Sequence, residues 1–150
     1  MRIAIANARL DPRRIEDGVR APGYGGIVTF LGTVRERTEE GREITALHYE
    51  TYESMALAEM ERIAREVSER FGDVRLAMVH RVGDVPAGDV AVVVSVAAVH
   101  RREAFAACSF AIDALKARAE IWKQERYRDG EARWIANDCG PGGESDAACR

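Results

Sequence analysis

Two lysines are the side chains best suited to acid–base or nucleophilic chemistry in this sequence. Of its 22 lysine and arginine residues, only Lys116 and Lys123 are lysine. Arginine keeps its proton at any biological pH, whereas a lysine amine can be tuned to lose it and serve as acid, base or nucleophile. The two amines stand seven positions apart in one segment, VHRREAFAACSFAIDALKARAEIWKQE (residues 99–125). A neutralisable amine beside fixed positive charges suits proton transfer on an anionic substrate. The bland alternative is two solvated lysines placed by chance, and the arginine bias weighs against it.

The surroundings of the lysines sharpen both readings. Ala104, Phe105, Cys108, Ala111, Ile112 and Leu115 recur at three- and four-residue steps, which predicts an amphipathic helix over residues 102–118. Lys116 falls on the shoulder of that stripe, where its amine is partly desolvated or, alternatively, snorkels into water above a buried stem. His100, Arg101 and Arg102 crowd the first turn, an end that normally attracts carboxylates. Free N–H groups plus arginines there form an anion site, or else three solvated cations. Beyond residue 118 the pattern changes to alternation over 121–127, a tight-turn signal at Asp129-Gly130, and a returning strand over 132–136. A strand points Lys123 and Glu125 to one side, so helix, break and hairpin can bring both lysines to one pocket.

The rest of the chain must position this segment. Alternation predicts a strand over 2–6. Asp11-Pro12 predicts an N-capped helix over 12–19. Strands follow over 26–34 and 44–49, the first ending at Arg35, with a charged loop between them. Ser54 is expected to cap a helix running to residue 71, with Leu57, Met60, Ile63, Ala64, Val67 and Phe71 buried. Strands over 74–80 and 90–99 are joined by a turn at residues 86–89. The second is apolar on both faces and therefore central. The order β-α-β-β-α-β-β-α-β-β lacks regular βαβ alternation and predicts an α+β fold, a mixed or antiparallel sheet with packed helices. His48 and His80 read as structural strand histidines, with no metal-ligand spacing. Cys108 reads as a buried apolar residue. Cys139 and Cys149 lie in a polar, Gly-rich tail that contains Gly142-Gly143. The expected organisation is one catalytic domain over 1–136 and a tail over 137–150.

Four ordered motifs carry a family resemblance: VTFLGTVRE (28–36), LHYETYESMALAEM (47–60), VHRVGDVPAGDVAVVVSV (79–96), and HRREAF with AIDALKARAEIWKQE (100–125). Together they resemble the catalytic, large-subunit family of molybdopterin synthase over about residues 25–134. The resemblance implies an α/β hammerhead-type fold and a homodimer within a heterotetramer. Its partner is a small ubiquitin-like subunit bearing a C-terminal Gly-Gly thiocarboxylate. The implied reaction passes sulfur, twice, to cyclic pyranopterin monophosphate and forms the molybdopterin dithiolene, with no cofactor. By motif position, Lys116 is the principal catalytic residue and Lys123 its partner. Thr33, Val34, Arg35, His100, Arg101, Gln124 and Glu125 fall at substrate-binding positions. Two positions depart from the family pattern: Glu120 stands where proline is common, and Gln124 where a second basic residue is common.

Composition bounds these readings. At 150 residues, 47% hydrophobic and 31% charged, a soluble one-domain protein is expected. A net charge of −3 argues against general nucleic-acid binding. The longest apolar run, 90–99, is half a membrane span, and the N-terminus lacks a signal-peptide core, which predicts a cytoplasmic protein without membrane contact. Two other functions stay open: a thiol-dependent transferase using Cys108 or Cys139, and a non-catalytic phosphate-ligand or partner-binding module.

Overall fold

The computed structural model describes residues 1–135. Its elements are β1 (Arg2–Ala6), α1 (Pro12–Asp17), β2 (Gly26–Thr33), β3 (Ile44–Thr51), α2 (Glu53–Phe71), β4 (Val74–Arg81), β5 (Gly83–Pro86), β6 (Val90–Ala98), α3 (Arg101–Arg118), β7 (Ile121–Tyr127) and β8 (Ala132–Ile135). They form an α+β fold with two four-stranded sheets, ordered β1-β4-β6-β2 and β5-β3-β7-β8. The first is mixed, because β1 runs parallel to β4 while the other pairs are antiparallel. The second is antiparallel throughout. The expected single sheet is thus two. The turn expected at 86–89 is preceded by a short strand, β5, that pairs with β3.

Strand β6 lies inside its sheet and is buried on both faces. Val92, Val94, Val96 and Ala98 pack under α2 and α3, while Val93 and Ala97 pack under α1 with Ile15 and Val19. Burying one such side chain is worth about 1.5–3 kcal/mol, so two-sided coverage fixes the register of β6. Its one hydroxyl, Ser95, meets Thr29 Oγ1 at 2.8 Å, and Thr29 donates onward to Glu16 Oε2 at 2.9 Å. Asp11 caps α1 as expected, accepting from the backbone N–H groups of Arg13 and Arg14.

Two expectations about the longer helices are corrected. α2 starts at Glu53 after Tyr52, without a side-chain cap, so Ser54 sits in the first turn. Its buried stripe is Ala56, Met60, Ile63, Ala64 and Val67, with Leu57 and Phe71 half-buried. On α3, Ala107 and Ala114 are buried, whereas Phe105 is 64% exposed, because the sheet does not reach that side. α3 ends at Arg118 without a proline, and Ala119 is already extended at φ −75°, ψ 124°. Arg118 ties this end to α2: Nε donates to Glu59 (2.6 Å), and the two terminal nitrogens donate to Glu66 (2.8 and 2.7 Å). The other end crosses close over β2, where a Cβ on Gly26 would lie 2.9 Å from the Arg101 Cα. The expected strand end at Ala136 and the tail residues Cys139, Cys149 and Gly142-Gly143 lie outside the described residues.

Candidate active site

A cavity of about 470 Å³ opens where the two sheets meet the C-terminal half of α3. Phe30 to Thr33 of β2, Ala91 and Val92 of β6, and Ile112 and Leu115 of α3 form much of its wall. Leu47 and Tyr49 of β3 face them across the seam. The charged groups are Arg35, Lys116 and Lys123 against Glu39 and Glu125, three cations to two carboxylates. In an apolar enclosure, an excess of positive charge favours an anionic ligand.

The turn between α3 and β7 assembles the lysine pair. Ile121 donates its N–H to the Ala119 carbonyl at 2.8 Å, so only Ala119 and Glu120 separate helix from strand. Lys116 is on the last turn of the helix, and Lys123 is on the same strand face as Glu125. Register confirms the shared face: Lys123 opposes Tyr49, and Glu125 opposes Leu47. Lys123 is half-buried. Lys116 is exposed in the single chain, which favours the wet, snorkelling amine of the two alternatives over a desolvated one. Glu125 accepts from Tyr127 Oη at 2.5 Å, a bond that raises the phenol's pKa. Arg35 lies 3.9 Å from Glu39.

The wall also contains His80, which the sequence presents as a structural strand histidine, and Tyr49, to which it assigns no role. His80 is buried, and desolvation pushes its pKa down to about 4. Its Nδ1 bonds the Arg81 carbonyl at 2.8 Å, and its ring meets Tyr49 edge-on with centroids 5.0 Å apart. Burial raises the Tyr49 phenol to about 12. The only sequence signal for these two was alternation, which put them on inward faces without saying what those faces enclosed.

Four of the expected positions do not line this cavity. Gln124 is on the opposite face of β7, paired with His48 and Trp134. Val34 is 2% exposed, pinned in the seam by Asp89 and Gly88 backbone bonds at 3.0 and 2.8 Å. His100 and Arg101 are exposed at the far end of α3. Fifteen helical residues at 1.5 Å each put Arg101 about 22 Å from Lys116. The first turn there also holds Glu103, so it is less purely basic than its three cations implied. Cys108 is buried outside the cavity wall, its thiol donates to the Val94 carbonyl at 3.6 Å, and burial raises its pKa. A buried, protonated thiol is a poor nucleophile. His48 bridges Asp84 and Glu50 on the outer sheet face. Among the described residues, no group of three or more His, Cys, Asp or Glu is arranged to hold a metal, and no helix is long and apolar enough to cross a membrane.

Comparison with known proteins bears on this arrangement. A family profile described as MoaE protein matches residues 5–118. The chain is 45% identical over 131 residues to a protein named molybdopterin synthase catalytic subunit from Oryza sativa subsp. indica, covering 87% of this chain and 67% of that one. It superposes on the crystal structure of molybdopterin synthase from Staphylococcus aureus with a TM-score of 0.83 and 31% identity, covering 88% of this chain and 95% of the other. It also shares its fold with a protein–protein complex of subunits 1 and 2 of molybdopterin-converting factor from Helicobacter pylori (TM-score 0.74, 23% identity, 89% of each chain).

Proposed function

This chain belongs to the MoaE family of molybdopterin synthase catalytic subunits, and we propose that its cavity is where sulfur passes from a small-subunit thiocarboxylate to cyclic pyranopterin monophosphate. The observation that carries the reading is the convergence of Lys116 and Lys123 on one wall with Arg35. A phosphorylated pterin and a thiocarboxylate both need cationic donors, which these three side chains supply. Attack of the thiocarboxylate sulfur on the pterin, and hydrolysis by water of the resulting acyl–sulfur bond to release the tail as a carboxylate, need proton movements near neutral pH. Lys116 is the group that makes them, and Lys123 holds the developing negative charge beside it. The long apolar stretch of the wall suits the extended Gly-Gly terminus of a ubiquitin-like partner.

His100 and Arg101 serve the reaction from a second copy of the chain. Within one copy they are too far from Lys116 to touch the same small molecule. In a homodimer they reach a neighbour's cavity and add phosphate donors to it. The complete assembly is a heterotetramer of two such chains and two small subunits. Thr33 and Glu125 border the substrate, whereas Val34 and Gln124 act on it only through the backbone they belong to. Residues 1–136 work as one catalytic domain, with 137–150 appended to it. The reaction runs in the cytoplasm, where a free thiol such as Cys108 stays reduced.

The test is reconstitution. The protein is mixed with thiocarboxylated small subunit and the cyclic pterin, and dithiolene product is measured. Wild type is expected to turn over, and Lys116→Arg to bind both partners without turnover. Absence of product where a working synthase yields it would defeat the proposal.

A further inference from the structure

We propose that His80 is a ligand-binding residue of the cavity, whose Nε2 accepts a hydrogen bond from an N–H group carried by the bound anionic ligand. The inference rests on the sulfur-transfer reading and adds a recognition element to it. A carbonyl oxygen can only accept, so the 2.8 Å contact between His80 Nδ1 and the Arg81 carbonyl puts the ring proton on Nδ1. The lone pair is then on Nε2, which has no hydrogen-bond partner among the described residues. The Tyr49 edge contact fixes the ring plane, and pairing of His80 with Ile5 and Val92 on either side fixes the strand beneath it. Burial keeps the imidazole uncharged at neutral pH, because its pKa is pushed down to about 4.

The electrostatics of the cavity explain why a neutral acceptor belongs there. Arg35, Lys116 and Lys123 are donors only. Glu39 and Glu125 accept, but each adds a negative charge that repels an anionic ligand. An N–H group carried into an apolar enclosure without an acceptor weakens binding. A neutral imidazole supplies that acceptor without adding negative charge. Two ligands of the proposed reaction fit this description: a peptide amide beside a terminal carboxylate or thiocarboxylate, and a ring N–H of the pterin phosphate.

Long-range proton–nitrogen spectra of the ¹⁵N-labelled full chain test the assignment. The free protein is expected to show His80 as the neutral Nδ1-protonated tautomer. Adding a synthetic peptide ending in Gly-Gly, or separately the cyclic pterin phosphate, is expected to move the Nε2 resonance upfield. The arm that moves it identifies the source of the N–H. A proton on Nε2 in the free chain, or calorimetric binding of both ligands with Nε2 unmoved, overturns the inference and leaves the sulfur-transfer reading standing. Failure of both ligands to bind the wild type sinks that reading and this one together. Variants give a second measurement. His80→Asn keeps a donor near Nδ1 and loses the acceptor, so KM is expected to rise about tenfold with kcat within about twofold. His80→Gln retains an acceptor near Nε2 and is expected to recover most of that loss. Equal loss in both variants counts against the inference.

Discussion

The two ends of α3 are treated in opposite ways. At the C-terminal end, Arg118 forks onto Glu59 and Glu66 of α2, and the chain turns into β7 within two residues. At the N-terminal end, His100 caps without a side-chain bond, and Arg101 and Arg102 are exposed with no ion pair among the described residues. One end sets Lys116 on the wall of its own cavity. The other leaves Arg101 exposed and about 22 Å from that lysine. If His100 and Arg101 serve a second copy, as proposed above, the string HRREAF…LKARAEIWKQE, continuous in sequence, describes two half-sites and not one.

The strongest way to break this comparison is at the tied end. Lys116→Arg keeps the positive charge and removes the readily lost proton, so kcat is expected to fall by about 10²–10⁴-fold. Single-turnover assays with small-subunit binding measured in parallel check it. Near-normal turnover would make the lysine pair an anion clamp only. The free end is tested by mixing. Arg101→Ala alone should lose about 30–100-fold, the cost of a charge-assisted donor. Co-refolding it with Lys116→Ala should restore about a quarter of wild-type activity, since half the dimers then carry one intact site of two. No recovery would mean that both ends act within one copy, and full activity of Arg101→Ala alone would mean that Arg101 is unused.

Acid offers a control that touches neither end. The folded-state pKa of His80, about 4, lies below its ordinary 6.5. Between those values the unfolded chain binds a proton that the folded chain refuses. Stability therefore falls as pH drops from about 6.5 to about 4, by about 3 kcal/mol in all. Urea titrations at pH 7.5 and pH 4 should show that fall in wild type and a flatter response in His80→Gln. The smallest effect is expected from Arg118→Ala. It loosens the last turn of α3, and kcat should drop by about three- to tenfold with KM little changed. Arg118→Lys, which lacks the fork, should recover only part. An unchanged kcat would show that the α3–β7 turn holds Lys116 without help from α2.

Much of the scaffold was legible because it depends on local periodicity. The stripes of α2 and α3, the two-sided burial of β6 and the capping of α1 are all properties of neighbouring residues. What was not legible depends on partners distant in sequence. β5 is four residues long and is a strand only because β3 lies beside it. Phe105 fits a buried stripe by spacing, but no sheet covers its side of the helix. The lysine pair was legible through residue choice and strand alternation. His80 was not, because only the meeting of β2, β3, β6 and α3 makes its inward face a cavity wall. Gln124 neighbours Lys123 in the motif, but strand alternation turns it away from this cavity.

Gly26 shows where an inherited defect would surface. A single methyl at that residue would press on the backbone of Arg101 and push the start of the helix outward. The altered molecule would keep its own lysines in order. On the proposed two-copy arrangement the damage would fall on the neighbouring molecule's site, while the altered molecule's own site, served by a normal neighbour, would keep working.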